Sequence, residues 1–415
     1  MEEKRKLEEI KRKASYCLQC KKPLCKQGCP LQNNIPDFIE HIKEGNLERA
    51  YKELSETTIF EPICGRICPH SEQCEKQCIR GIKGKSVSIG ELETYVGDWM
   101  LDKQFENGDK NEKKQKVAII GSGPAGIACA YRLNQQGYQV TLYEKHKELG
   151  GLLRYGIPSF RLPRNILDKW IEQIIIKQGI EIKTNTTLGK DISIEKLKED
   201  YDRIVLAFGA NLSYRMKIPG EARENVLGAN ELLEYQDFPD FHHKKVAIVG
   251  GGNVAMDAAR TIQRQGAKEV TIIYRRSEEE MPAERKEIKA AKEENIQFLF
   301  QTNLLKVKNN EIECIKTKLL SKDTEKRKYP VDIEGSNFVL GMDYVIMAIG
   351  SHADSKMLET LKLETTDKGY VKVDSNYQTY DKKIYAIGDV IGTKQTVAWA
   401  AKSGFDCATS IIENQ

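Results

Sequence analysis

Residues 116–145 read KVAIIGSGPAGIACAYRLNQQGYQVTLYEK. An apolar run of strand length leads into Gly121-x-Gly123-x-x-Gly126, a helical stretch follows as far as Gly137, and a second apolar run ends at Glu144. The pattern predicts strand, tight turn, helix and strand around an anion site. Gly121 allows the turn, Gly123 lets the backbone approach a pyrophosphate, and Gly126 permits close packing of helix on strand. Ala125 lies in the same first turn, whose N-terminal amides favour the anion. Gly137 ends the helix. Glu144, 23 residues after Gly121, stands where a carboxylate accepts hydrogen bonds from a ribose hydroxyl pair. The Gly150-Gly151 pair brings more backbone close to the same ligand.

The unit occurs twice. Residues 245–276, KVAIVGGGNVAMDAARTIQRQGAKEVTIIYRR, repeat the strand-turn-helix-strand order with Gly250 and Gly252 in place, Asn253 and Val254 opening the helix, and Ala255 for the third glycine. At the end of its second strand the charge is reversed: Arg275 and Arg276 replace the acid, and guanidinium forks there pair with the 2′-phosphate of NADP. NADPH is therefore expected at this loop. For the first loop a flavin is indicated by IYAIGDV at 384–390, a strand ending in Gly388 and Asp389, where the Asp reaches a ribityl chain. Thr396 then starts a helix, TVAWAAKSG, whose N-terminal amides face the flavin's anionic end. RIVLAFGA (203–210) and DYVIMAIG (343–350) fit the closing strands of the two sheets.

Eight of the eleven cysteines precede both loops, in the runs C-x2-C-x4-C-x3-C-P (Cys17, Cys20, Cys25, Cys29) and C-x3-C-P-x4-C-x3-C (Cys64, Cys68, Cys74, Cys78). In a reducing compartment clustered thiols are metal ligands rather than disulfides. Ferredoxin-like runs ending in Cys-Pro point to iron-sulfur clusters, and two runs to two clusters. Structural zinc is the alternative, disfavoured because zinc ribbons pair one C-x2-C with another. Counting alone divides the eight thiols into two sets of four, with Cys64 in doubt. Between the runs, residues 36–57 have helical periodicity with Phe38, Ile42, Leu47, Tyr51 and Leu54 as the buried stripe. No C-x2-C or C-x4-C pair accompanies the flavin segments, so a disulfide reductase is not expected. Cys129, Cys314 and Cys407 read as small buried hydrophobes. Electrons need another exit, and the N-terminal thiols supply one.

A chain of 415 residues, 40% hydrophobic and 30% charged, forms several globular domains. It has no apolar stretch long enough to span a membrane. A net charge of +4 gives no case for nucleic acid, and the Lys/Arg runs at 11–13 and 326–328 read as solvated surface. The charged N-terminus has no signal-peptide core, so a cytoplasmic protein is expected.

Taken together, CLQCKKPLCKQGCP, CGRICP, VAIIGSGPAG, YGIPSFRLPR, GGGNVAMDAARTIQRQGA, YRRSEEEMPA and YAIGDV resemble the small (beta) subunit of NADPH-dependent glutamate synthase. They also resemble the related flavoprotein part of dihydropyrimidine dehydrogenase and NADPH:ferredoxin-type oxidoreductase subunits. The resemblance implies an α/β chain with two Rossmann-like dinucleotide-binding domains, for FAD and NADPH, preceded by a small all-α iron-sulfur domain. The domains would run 1–112 (two 4Fe-4S clusters), 113–240 and 353–415 (FAD), and 241–352 (NADPH). It implies that Cys17, Cys20, Cys25 and Cys78 hold one cluster and that Cys29, Cys68, Cys74 and Glu93 hold the other, leaving Cys64 out and Glu91 as the nearest wrong choice. Arg161 matches a flavin-contacting position. Electrons would pass from NADPH through FAD and the clusters to a larger catalytic subunit or a ferredoxin-like acceptor. No side-chain acid or base is needed for hydride transfer, so no catalytic residue is named.

Overall fold

The computed structural model describes residues 2–103, 114–322 and 325–414. The boundary expected at residue 112 lies outside them. The chain divides into two compact units: Met1–Arg154, Ser159–Ala210 and Ala353–Gln415 form one, and Tyr155–Pro158 with Asn211–His352 the other.

At the centre of the first unit is a five-stranded parallel sheet, in the order Ile384–Ala386, Arg203–Leu206, Lys116–Ile120, Gln139–Tyr143, Glu181–Lys183. Its inner strands Lys116–Ile120 and Gln139–Tyr143 are buried from the second residue on, as a parallel sheet covered on both faces requires, while Glu181–Lys183 is an edge strand exposed at both ends. The helices Pro124–Gln135 and Val397–Glu413 pack on each other. They meet at Gly404, where a Cβ would lie 2.2 Å from the Ala125 carbonyl oxygen.

The same unit contains the cysteine-rich helices. The periodic stretch 36–57 forms two helices, Ile35–Glu44 and Leu47–Ser55. Gly45 turns the chain at φ +82° and Asn46 caps the second helix, its Oδ1 accepting from Arg49 N at 3.0 Å. Phe38, Ile42 and Leu54 are fully buried, while the turn leaves Leu47 and Tyr51 half-buried. Helix Glu61–Ile67 crosses Ile89–Leu101 at two glycines. A Cβ on Gly65 would sit 2.4 Å from Thr94 Oγ1, and one on Gly97 2.4 Å from Pro62 N. These helices dock on the rest of the unit through Phe60, whose ring lies 4.8 Å from that of Trp170, and through Trp170 Nε1, which donates to Ile59 O at 2.6 Å.

The second unit has its own parallel sheet, Val226–Gly228, Tyr344–Met347, Lys245–Val249, Glu269–Tyr274, Gln297–Phe300. Beside it is an antiparallel sheet of Thr302–Val307, Glu311–Lys322 and Glu325–Asp332, with Phe338–Gly341 on the middle strand. Residues 211–240, expected with the first sheet, pack here. Val226–Gly228 is the outer strand on Tyr344–Met347, and Leu212–Ser213 pairs antiparallel with Ser351–His352. The chain changes unit at Ala210, ahead of the glycine motif that marked the change in sequence.

Candidate functional site

Gly121 adopts φ +109°, and a Cβ there would lie 2.5 Å from Ala207 O. Only glycine closes this turn against the neighbouring strand. Gly126 lies over it, 1.9 Å separating its would-be Cβ from Gly121 O. Gly123 is the opposite case: a Cβ would meet nothing within 4 Å, and no side chain caps the helix it begins. The first-turn amides therefore face open space, the arrangement a pyrophosphate needs.

Glu144 is buried and engaged. Its Oε2 accepts from Ser122 N at 3.0 Å and Ser122 Oγ at 2.5 Å, and its Oε1 from His146 N at 2.9 Å. Ser122 Oγ in turn accepts from Gly150 N at 3.0 Å. Gly151 approaches so closely that a Cβ would lie 2.7 Å from Gly123 Cα. The acid expected at a ribose thus also ties the two glycine loops together through Ser122, a link with no signal in sequence. Gly388 adopts φ +76° with its amide on Ser403 Oγ at 2.9 Å. A Cβ on it would come within 3.0 Å of Ala125 Cβ, so Ala125 lies between the Gly388 turn and the Gly404 crossing. Asp389 accepts from Thr393 Oγ1 at 2.8 Å, and burial raises its carboxyl above the usual range. Arg161 is half-buried on the turn before helix Arg164–Ile171.

The second loop repeats the plan. Gly250 has φ +144° with a would-be Cβ 2.2 Å from Ala348 O, while the nearest atom to a Cβ on Gly252 is Pro282 Cγ at 4.0 Å. Again no side chain caps the helix. Asn253 and Val254 begin it. Asn253 Oδ1 accepts from Glu284 N at 2.9 Å, and Gly251 O accepts from Ala283 N at 3.2 Å, so the segment after the arginine pair folds back on the loop. Arg275 and Arg276 follow the last residue of strand Glu269–Tyr274.

The cysteines separate into two groups that cross the two sequence runs. Cys17, Cys20, Cys25 and Cys78 line one cavity of about 390 Å³, counted to its open mouth, with Leu18, Leu24 and Ile79. Burial, then Cys17, Cys78 and Cys20, push the Cys25 thiol up to about 11. The second group, Cys29, Cys68, Cys74 and Glu93, is buried throughout, at 9%, 5%, 6% and 5% exposure. Burial, then Glu93 and Cys68, push Cys29 up to about 12; burial, then Cys29 and Glu93, raise Cys74; burial and Cys68 raise Glu93. The side chains acting on these three are all acidic. Such a set is stable only when protonated or when a cationic centre takes the protons' place. Helix Leu24–Gly28 carries Cys25 of one group and is capped by Cys29 of the other.

Cys64 belongs to the same buried neighbourhood: it lies one helical turn before Cys68, its thiol hydrogen-bonded to that of Cys68, with Glu93 and Cys29 also acting on it. Glu91 points outward from helix Ile89–Leu101 and pairs with Lys13, whereas Glu93 points inward and accepts from Asn33 Nδ2 at 3.3 Å. Among the described residues no three His, Cys, Asp or Glu side chains converge on a single-ion site. Four thiols around one cavity, and a second buried set of acidic groups, are the donor chemistry an iron-sulfur cluster takes. Cys129 and Cys407, distant in sequence, share a hydrogen bond in the core.

Gln73, between Cys68 and Cys74, donates from Nε2 to Thr396 Oγ1 at 3.3 Å. Thr396 also caps helix Val397–Glu413 by accepting from Trp399 N. The buried thiol group and the segment expected to face a flavin are thereby joined by one residue, which sequence reading did not single out.

Comparison with known proteins agrees with this arrangement. Residues 115–404 match the family described as pyridine nucleotide-disulphide oxidoreductase, and residues 1–105 match dihydropyrimidine dehydrogenase domain II, 4Fe-4S cluster. The glutamate synthase [NADPH] small chain of Escherichia coli is 34% identical over 97% of this chain and 91% of its own length. The putative oxidoreductase AegA of the same organism is 36% identical over 98% of this chain, which spans 66% of that relative. The solved structure of Mycobacterium tuberculosis FprA in complex with NADPH superposes with a TM-score of 0.62 at 19% identity, covering 73% of this chain and 84% of that one; it shares the fold. No helix among the described residues is long and apolar enough to cross a membrane. With two glycine loops on two parallel sheets and thiols grouped in a helical region ahead of them, the chain belongs to the pyridine nucleotide-disulphide oxidoreductase family, as an iron-sulfur oxidoreductase of the glutamate synthase small-chain type.

Proposed function

We propose that this chain is the electron-input component of a larger redox system, taking electrons from NADPH and releasing them singly to a partner protein. Gly250, Gly252, Asn253, Val254, Arg275 and Arg276 hold NADPH. Gly121, Gly123, Ala125, Gly126, Glu144, Gly151, Arg161, Gly388, Asp389 and Thr396 form the FAD site. Cys17, Cys20, Cys25 and Cys78 hold one 4Fe-4S cluster, and Cys29, Cys68, Cys74 and Glu93 the other. When bound, FAD accepts a hydride from the nicotinamide and a four-iron cluster carries single electrons, so together they convert paired input to single output.

The observation that carries this reading is the Gln73–Thr396 hydrogen bond, which joins the buried thiol group to the segment assigned here to flavin. The half-exposed group, linked to it through helix Leu24–Gly28, is then the exit. The chain's side chains position and insulate the cofactors rather than exchange protons with substrate. Relatives named as a glutamate synthase small chain and as the beta subunit of an NADP(+)-dependent formate dehydrogenase favour a partner subunit as acceptor, a larger catalytic chain before a ferredoxin-like one.

Anaerobic titration of iron-reconstituted protein with NADPH, with metal analysis, tests the proposal. About eight irons per chain, with flavin bands and the broad iron-sulfur shoulder both bleached, are expected. A reducible flavin accompanied by zinc, or by no iron chromophore, would overturn it.

A further inference from the structure

The basic run at 326–328, read from sequence as solvated surface, has a more specific place in the fold. Strand Glu325–Asp332 pairs antiparallel with Glu311–Lys322, and the ribbon runs past the end of strand Glu269–Tyr274. There Arg276 Nε donates to Lys328 O at 2.9 Å, Thr317 Oγ1 donates to Arg275 O at 2.8 Å, and Gln301 N donates to Arg276 O at 3.0 Å. The antiparallel sheet and Gln301, the residue before it, therefore hold the arginine pair at three points, two on its backbone and one on the Arg276 side chain.

Arg327 completes the arrangement. Its Nη2 donates to Tyr274 OH and to Glu280 O, each at 2.6 Å. The Tyr274 ring rests on the nucleotide loop, where a Cβ on Gly251 would lie 2.6 Å from it. Arg327 is thus fixed to the residue before Arg275 and to a loop that folds over Gly251 and Asn253. Burial lowers the Arg275 pKa, and Arg276 and Arg327 lower it further; no carboxylate is among the groups acting on it. Three guanidinium groups gathered without a carboxylate beside Arg275 form a site for a polyanion.

We infer that Arg327 is a specificity-determining residue of the nucleotide site, a third guanidinium that contacts the 2′-phosphate of NADPH together with Arg275 and Arg276. This rests on the assignment of the arginine pair to NADPH and extends it to a strand some fifty residues further along the chain. It also gives the antiparallel sheet a role: it presents one arm of the phosphate clamp and braces the other two.

The test is calorimetric binding of 2′,5′-ADP and of 5′-AMP to the flavin-loaded full chain, for Arg327→Ala, Arg327→Lys and the double variant Arg275→Ala/Arg276→Ala. Arg327→Ala should weaken 2′,5′-ADP by about tenfold and leave 5′-AMP within about twofold, with Arg327→Lys in between. In turnover, KM for NADPH should rise while that for NADH stays. Parallel loss of both ligands would mean that Arg327 only braces the Tyr274 turn, and overturns the inference. If Arg327→Ala is silent while the double variant loses 2′,5′-ADP, the inference fails and the NADPH assignment stands. If neither changes the ratio of the two ligands, both fail. Retained flavin content reports folding, and Arg327→Lys supplies a second reading should the alanine variant not fold.

Discussion

Gln73 and Thr396 stand 323 positions apart in sequence and share a hydrogen bond of 3.3 Å. One is the residue before Cys74; the other caps the helix expected to face a flavin. Thr396 accepts from both Gln73 and Trp399, so the helix cap and the junction depend on the same hydroxyl. Gln73→Leu removes the junction bond alone and leaves the Thr396 cap on Trp399 N in place. Stopped-flow mixing with NADPH should then show flavin bleaching at the wild-type rate and slower bleaching of the iron-sulfur shoulder. Equal slowing of the two steps would rule out a specific role at the junction.

The cysteine grouping predicts different iron losses for neighbouring residues. Cys64→Ser should retain all the iron, because Cys64 is assigned to neither cluster even though it bonds to Cys68 and lies near Glu93 and Cys29. Cys68→Ser should lose about half, one cluster of two. Iron analysis of the purified variants decides, and a half-loss in Cys64→Ser would refute the grouping.

Glu91 and Glu93 allow a similar comparison two residues apart. Glu91→Gln breaks only a surface pair with Lys13, worth about 0–1 kcal/mol, and should leave iron content unchanged. Glu93→Ala removes the one carboxylate of the buried group and should perturb one cluster alone, visible as a change in its low-temperature paramagnetic resonance spectrum. Two unaltered spectra would exclude Glu93 as a ligand.

Gly123→Ala separates folding from flavin binding. A Cβ at this position meets no protein atom within 4 Å, so the apoprotein should keep its thermal midpoint. Flavin content should fall sharply, because the methyl group occupies the side from which a pyrophosphate approaches. Gly126→Ala should instead destabilise the fold itself, its Cβ falling 1.9 Å from Gly121 O. A Gly123→Ala protein that retains full flavin would remove this loop from the FAD site.

Glu61 is fully buried and neither carboxylate oxygen has a hydrogen-bond partner. Burial raises its pKa to about 8. Tyr51, Tyr131 and Glu93 lie within its electrostatic reach, and none is cationic. The native state therefore keeps a proton that the unfolded chain releases near 4.5. This stability is complete below the unfolded value and is lost as pH rises towards about 8, a change on the order of a few kcal/mol. Glu61→Gln should flatten that slope, and its advantage over wild type in thermal midpoint should grow from pH 5 to pH 8. A constant difference across the range would show that Glu61 does not titrate there.

Both glycine turns are legible in sequence because the constraint is local: Gly121 and Gly250 need positive φ, and the residues after them fix helix and strand. The sign change from Glu144 to Arg275 is equally local. Cys78 is different. It joins Cys17, Cys20 and Cys25 across fifty residues, and only resemblance to a family, not spacing, divided the thiols in this way. Arg327 and Lys328 are exposed, as the basic run suggested, but the contacts of Arg327 with Tyr274 and Glu280 are set by sheet pairing and had no local signal. The same distance effect hid Gln73, which has no neighbour in sequence that marks it.

The first unit is assembled from three separate pieces of chain, and its sheet is closed by strand Ile384–Ala386 pairing with Arg203–Leu206. During synthesis, Asn211–His352 emerges as nearly the whole of the second unit and has its own complete sheet before Ile384 leaves the ribosome. Until then the strand Arg203–Leu206 presents an unpaired edge, and helix Pro124–Gln135 lacks its Val397–Glu413 partner. All strands of the second unit's sheet are therefore available before the first unit's sheet can close, and the first unit becomes whole only with the last seventh or so of the described chain.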